Sequence, residues 1–470
     1  MKKISFKLLA LAMSLSTAWC VSAQDAKYVF YFIGDGMGVN QVQIAELYQA
    51  EMQGRIGVEP MLFTQFPYAS VATTYSVTNG VTDSAASGTA LSTGTKTANG
   101  CIGVEADKTT PLRSIAYRAK DAGKRVGVST SVGINHATPA AFYGHNSWRK
   151  NYNAIGRELP ETGFDFFGGS DFWGVVPEDS VGLYDLARRK GYTITRSYDE
   201  YLAKAPAAAK MILFQSPEAS RVDSRTIPYV IDRTDSDLTL TQIVKAGIDF
   251  LSKDAPDGFF FMVEGGAIDW QCHSNDAGSV IREVLEFDNA IGEAYKFYQQ
   301  HPDETLIVVT ADHETGALGL GTGSYDLNLK AFSHQKVSEV QLARLLNQAH
   351  KANGGRLDWA EARQILADNF GFFKEIEITP EQEQRLKEAL AHSYGSGREL
   401  AESEYQKVVP LATVAKEILN SIALVGWGSG GHSASLVPVF AVGVGAERFA
   451  ARTDNAAIPG IIATVAGYPQ

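Results

Sequence analysis

The chain has 470 residues, 45% of them hydrophobic, with 42 Lys and Arg against 53 Asp and Glu and a net charge of −11. A chain this long and this apolar can bury a sizeable core, and an acidic balance without any Lys/Arg block argues against nucleic acid or an anionic membrane as partner. After the first residues, no stretch reaches the roughly 18 uninterrupted apolar residues of a membrane-spanning helix.

Met1 to Ala23 has a basic start (Lys2, Lys3, Lys7), an apolar centre, LLALAMSL, and a small-residue close, VSA. This is the pattern of a secretory signal peptide cleaved after Ala23, and it predicts a periplasmic or secreted protein. Cys20 raises a lipid-anchor alternative, but bulky Trp19 stands where a small residue is wanted. Cleavage removes three lysines and leaves 39 basic against 53 acidic residues, a net charge near −14. An anionic substrate would therefore have to meet positive charge that is local, such as metal ions or one placed arginine. Cys101 and Cys272 remain, and a core this large needs no disulfide, so both are expected as free thiols. About 447 residues exceed the usual single domain, which predicts one large sheet with insertions, or two domains.

Along the chain, short apolar runs end in Gly, Asp or Glu: YVFYFIGDG (28–36), RVGVSTS (125–131), FFFMVEGG (259–266), LIVVTADHE (306–314) and PVFAVGVG (438–445). Such runs are the signature of buried parallel strands feeding loops at their C-terminal ends. Helical patterns lie between them, at 111–124 and 239–253. The alternation predicts an α/β fold. From 338 to 422 the character changes to amphipathic helices rich in Glu, Gln and Ala, read as a helical insertion before the last strands. Nothing in that insertion suggests chemistry.

Metal-type ligands collect at the strand ends. Asp35 sits in the first turn, and Glu264, Asp269 and His273 follow one another at intervals of five and four. Asp312 and His313 are adjacent, and His432 stands in a glycine-rich loop. Imidazole and carboxylate together are the donors of zinc sites, and mixed carboxylate sites suit a harder ion such as magnesium. Any one of these taken alone reads equally well as a hydrogen-bonded loop residue or a strand-end cap. Their common position, beside carboxylates at the ends of apolar strands, shifts the balance toward metal. His301, His334, His350 and His392 lie in helical or turn contexts and carry no role.

VTDSAASGTALSTGTK (81–96) is compatible with a helix whose first turn carries Ser84. A helix N-terminus offers free N–H groups and the positive end of the macrodipole to an anion, and a nucleophilic serine there would gain from both. An isolated Asp-Ser pair also caps helices, and the run of small residues, which allows close backbone approach, favours a site. Nucleotide readings fail on spacing. In GTKT (94–97) a threonine separates Gly from Lys, and GDGMG places its third glycine one residue too early for G-x-G-x-x-G.

FIGDGMG, TTYSVTNGVTDSAASGTALSTGTK, NHATPAAFYGH, VEGGAIDWQCH, VVTADHETGAL and the late GGHS resemble the alkaline phosphatases in order and spacing, from about Tyr28 to Gly445. The resemblance implies a three-layer α/β/α sandwich around a large, mostly parallel central sheet, as one catalytic domain over 24–470. It implies Ser84 as a phosphorylated nucleophile. Asp269, His273 and His432 would hold a first zinc ion, and Asp35, Asp312 and His313 a second. Asp35 would bridge to a third, magnesium-type site with Thr138 and Glu264. Arg149 falls where the family's phosphate-gripping arginine stands, and its planar fork suits two phosphate oxygens. The substrates would be small phosphate monoesters, and the resemblance suggests a homodimer. Two positions depart from the family's best-known pattern, His136 for Asp and Trp270 for Lys; an imidazole at the third site would admit zinc or cobalt in place of magnesium. Three rivals stand beside this reading. A sulfatase would need C/S-x-P-x-R at the nucleophile, which is absent. A phosphodiesterase would commonly carry Thr there and lack the third-site ligands. A non-catalytic anion- or zinc-binding protein would not need nucleophile, arginine and three ligand sets together.

Overall fold

The computed structural model describes residues 25–174, 177–323, 325–394, 401–402 and 407–469. The expected signal peptide lies outside them.

Eight strands come first in the chain: β1 (Tyr28–Ile33), β2 (Tyr68–Thr73), β3 (Arg125–Thr130), β4 (Phe166–Gly169), β5 (Tyr192–Thr195), β6 (Lys210–Phe214), β7 (Phe259–Glu264) and β8 (Thr305–Thr310). Val437–Gly443 and Thr453–Asp454 complete a ten-stranded sheet, in the order Thr453–Asp454, β2, Val437–Gly443, β8, β1, β7, β3, β4, β6, β5. Val437–Gly443 runs antiparallel to β2 and β8, and the other strands are parallel. Every residue of β1, β7 and β8 is buried, as expected of central strands covered on both faces by helices. The aromatic run of β1 packs edge-on into its neighbours, Phe30 against Phe259 at 5.2 Å and Phe32 against Phe287 at 5.9 Å.

Register decides where chemistry can occur. Ile33, the last residue of β1, pairs with Glu264 of β7 on one side and Thr310 of β8 on the other, and Glu264 pairs with Thr130 of β3. Four parallel strands therefore end in one row, and the turns that follow them open onto a common edge. Ligands in open α/β sheets bind at such carboxyl ends.

The helices Leu240–Ser252 and Ala277–Gln300 bury apolar stripes against the sheet, the first opened by a reciprocal cap between Thr239 and Gln242. Between β8 and Val437–Gly443 the chain leaves the sheet for the helices Glu339–Ala352, Trp359–Phe370, Pro380–Tyr394 and Pro410–Ile422. Ser338 and Asp358 cap the first two with their side chains. Their apolar faces form a second core around Leu342, Leu366, Leu386 and Leu411, joined to the rest through Ile44 and Ile281.

The strand over 28–36 stops earlier than its pattern suggested, at Ile33, because the glycine turn takes over. The helix over 111–124 is confined to Ile115–Asp121, where Ser114 caps it. β4, β5 and β6 have only four or five residues each and gave no periodic signal. Cys101 and Cys272 are free and buried. Among the described residues no helix is long and apolar enough to cross a membrane.

Candidate metal centre

The turn after β1 shows what its glycines are for. Gly36 has a φ of +70°, and a Cβ on it would stand 2.8 Å from Asp269 Oδ1 and 2.9 Å from Thr315 Oγ1. A Cβ on Gly38 would stand 2.2 Å from Glu314 Cγ. The backbone must pass this close for Asp35 to reach the row of strand ends, and only glycine allows it. Gly36 N–H donates to Asp312 Oδ1 at 3.1 Å, tying the β1 turn to the β8 turn.

Three groups of ligand-type side chains converge there, each with its donor atoms within 4.8 Å of one another: Asp269, His273 and His432; Asp35, Asp312 and His313; Asp35, His136 and Glu264. In the first, His432 Nε2 lies 3.2 Å from His273 Nε2 and 3.8 Å from Asp269 Oδ1. In the second, His313 Nε2 lies 3.4 Å from Asp35 Oδ1 and 3.2 Å from Asp312 Oδ2. Thr138 Oγ1 donates to Asp35 Oδ2 at 3.4 Å beside the third. Asp35 belongs to two groups at once.

The outer hydrogen bonds fix the imidazoles. His273 Nδ1 donates to the Gly430 carbonyl at 2.7 Å and His432 Nδ1 to the Thr82 carbonyl at 2.8 Å. A carbonyl can only accept, so the proton of the neutral ring sits on Nδ1 and Nε2 turns a lone pair into the centre. Thr315 Oγ1 donates to Asp269 Oδ1 at 2.5 Å and so accepts from His313 Nδ1 at 3.1 Å, with the same result.

Ser84 is the first residue of the helix Ser84–Thr93, with Asp83 as its cap accepting from Ala86 N–H. The Ser84 hydroxyl is buried 3.2 Å from His313 Nε2. The run of small residues lets this helix settle onto Ala137–Ala140, since a Cβ on Gly88 would stand 3.2 Å from Thr138 Cα. Arg149 Nη1 donates to Asp83 Oδ2 at 3.0 Å and Nη2 to His136 Nε2 at 2.9 Å, which places the guanidinium beside the serine helix and the third group. Every residue singled out in the sequence thus meets at this edge. Sequence reasoning missed the orienting partners Thr315, Thr130 (which donates to Glu264), and the Gly430 and Thr82 carbonyls. It also missed Trp173, which packs on His136 and Trp270 at 5.4 Å. Thr315, two residues beyond His313 in a recognised motif, was the readable one; a backbone carbonyl leaves no signal.

The charge balance is unusual. Burial, reinforced by Asp312, Asp269 and Glu264, pushes Asp35 well above the carboxylate range, and burial with Asp269 does the same to Asp312. Burial lifts Glu264 to about 7. Burial also acts on Asp269, but His273, His432 and His313 outweigh it and hold that carboxyl far down. Burial keeps His313 and His136 neutral, helped by His432 and Arg149 respectively. Asp35 Oδ1, Glu264 Oε1, Asp269 Oδ2 and Asp312 Oδ2 are buried without hydrogen-bond partners. Such atoms are costly to bury unless a cation meets them. Oxygen and imidazole donors with orphaned lone pairs are the set that divalent metals take.

A family model described as alkaline phosphatase matches residues 26–167 and 221–468. Alkaline phosphatase 3 of Bacillus subtilis (strain 168) is 29% identical over 486 aligned residues, 97% of this chain and 96% of its own. The crystal structure of a cold-active alkaline phosphatase from the psychrophile Shewanella sp. has a TM-score of 0.79 at 30% identity, covering 94% of this chain and 100% of that one. The TAB5 alkaline phosphatase, as a mutant in which one histidine is replaced by aspartate, has magnesium bound in the M3 site; it matches with a TM-score of 0.65 at 26% identity over 95% of this chain and 100% of its own. The chain belongs to the alkaline phosphatase family, and is a metal-dependent phosphoryl hydrolase.

Proposed function

We propose that the protein hydrolyses small phosphate monoesters through a phosphoserine on Ser84, with two zinc ions and a third metal. The observation that carries this is the placing of one buried serine hydroxyl, at a helix N-terminus, 3.2 Å from an imidazole of the second ligand group. Asp269, His273 and His432 would hold the first zinc, Asp35, Asp312 and His313 the second, and Asp35, Glu264, Thr138 and His136 the third ion. The donors fit: three Nε2 lone pairs are directed by their ring partners, and four orphaned carboxylate oxygens face the same space. Divalent ions there supply Lewis-acid polarisation of phosphoryl and ester oxygens and stabilise developing oxyanion charge.

The chain's own groups do the rest. The helix N-terminus directs N–H groups and a positive dipole end toward an anion beside Ser84. Arg149, held by Asp83 and His136, presents its fork to two phosphate oxygens. Ser84 Oγ loses its proton and bonds to phosphorus as the bond to the ester oxygen breaks, and the leaving alcohol takes a proton. Water then cleaves the Oγ–P bond, releasing phosphate and restoring the hydroxyl. His136 gives the third group an imidazole, which would admit zinc or cobalt in place of magnesium. The reading also includes export after cleavage at Ala23, and a homodimer.

Purified protein is assayed on p-nitrophenyl phosphate and its bis-ester, with elemental analysis and chelator controls. Preference for the monoester, zinc in the protein and a 32P label trapped on Ser84 at low pH are expected. Preference for the diester, or no label in an active enzyme, overturns it.

A further inference from the structure

His273 is the last residue of the helix Ala267–His273, so the carbonyls just beyond it have no partner within that helix. The partners come from the helical insertion. Lys416 Nζ donates to the Ser274 carbonyl, and Asn420 Nδ2 donates to the Asn275 carbonyl at 2.7 Å. Lys416 and Asn420 stand one turn apart on the helix Pro410–Ile422 and are both buried, at 6% and 5% exposed. Asn275 has a φ of +55° and passes the connection on: its Nδ2 donates to the Cys272 carbonyl at 2.8 Å and to the Ser429 carbonyl at 3.0 Å. Ser429 adjoins Gly430, whose carbonyl orients His273, and His432 follows two residues later. Both imidazoles of the first group thus lie on segments that Asn275 joins, and Asn275 is held by the insertion.

The ammonium is anchored in turn. Lys416 Nζ lies 3.4 Å from Glu339 Oε2, and Glu339 N–H donates to Asp276 Oδ2 at 2.9 Å. Asp276 Oδ1 also accepts from Gln335 Nε2 at 2.8 Å. Two buried charges and a buried amide are an expensive way to join two helices when apolar packing would serve. They do supply direction: a cation at a helix C-terminus and an amide on the next carbonyl set where that helix ends.

From this connection we infer that Lys416 and Asn420 are positioning residues for the first metal site, holding the His273 and His432 segments at the spacing a metal ion needs. The inference rests on the ligand set proposed above. Partners bonded directly to a ligating side chain change metal affinity by about 10- to 100-fold when removed, and Lys416 and Asn420 act one bond further out, on the segments that carry the imidazoles. The two residues bond to backbone carbonyls beside the ligand-bearing segments, so their effect is expected to reach the reaction through metal retention.

The test measures the rate of zinc release from zinc-loaded protein into a colorimetric chelator, with thermal stability measured alongside. Asn420→Ala, and the charge-balanced pair Lys416→Met with Glu339→Gln, are expected to release one zinc about 10-fold faster or more. Leu366→Ala, in the core of the insertion and away from this connection, serves as the control; it is expected to lower stability and leave zinc release within about twofold. Release at the wild-type rate in both connection variants, or equal acceleration in Leu366→Ala, overturns the inference. A wild-type chain that retains no zinc overturns the proposed function together with it, whereas a zinc-retaining wild type with indifferent variants overturns the positioning role alone.

Discussion

Two regions of this protein bury carboxylates, and they do it in opposite ways. Along the helices that join the sheet to the insertion, each buried acid has its own partners. Asp276 accepts from Ser279, Gln335 and Glu339, and Glu286 from Thr241 and Arg233. Glu339 lies against Lys416, and Glu283 accepts from Val230 N–H. At the sheet edge four fully buried acids crowd together, and each keeps an oxygen without a hydrogen bond. Among the described residues every orphaned carboxylate oxygen belongs to that edge. Burial alone therefore does not mark a functional acid. Crowding with unmet acceptors does, because it leaves a need that cations can meet.

The largest break in the comparison comes at the serine that the crowded edge surrounds. Ser84→Ala is expected to lower kcat by roughly 10^4-fold or more while elemental analysis still finds metal. Activity near the wild-type level in that variant would remove the phosphoserine from the mechanism. Asp35→Ala acts on two groups at once and is expected to lose metal from both, with activity falling by about 10^3-fold. Retention of all metal by that variant would show that the acid does not bridge. Arg149→Ala leaves the acids in place and removes two donors, so roughly a 10^2-fold loss in kcat/KM with metal intact is expected. A loss of metal instead would place Arg149 on the structural side of the comparison.

The sequence made the edge legible because strand ends write their ligands next to apolar runs. Glu264 ends a buried strand, Asp35 and the Asp312–His313 pair follow buried strands within three residues, and register brings those ends together. The partnered acids were not legible. Glu283 and Asp276 sit within or at the cap of one amphipathic helix, and apart from the Ser279 N–H on Asp276 the partners named for them come from segments dozens of residues away. The insertion was recognised as helical from its period, yet its contact with the metal edge through Lys416 and Asn420 was invisible. A lysine and an asparagine four apart on a helix ordinarily read as solvated surface. The short strands β4 to β6 were silent because four or five residues cannot display a period.

The smallest effect tests the partnered side by pH. Glu283 is 7% exposed and accepts from Val230 N–H at 2.8 Å. Burial pushes its carboxyl up to about 8 from an ordinary 4.5, against the pull of that N–H. A carboxyl raised in the folded state contributes stability that is complete below about pH 4.5 and is lost as pH climbs through about 8. Glu283→Gln keeps the acceptor and cannot ionise, so it escapes that loss. Relative to wild type, the variant is expected to gain roughly 2–4 kcal/mol between pH 5 and pH 9, read by denaturant unfolding at saturating metal. The same substitution at Asp35 has no such simple profile, because there protons and cations compete for one oxygen. A Glu283→Gln gain that is absent at pH 9, or equal at both pH values, would mean that this acid is compensated as fully when charged as when neutral. The single N–H on Glu283 would then do for one acid what the metal edge needs cations to do for four.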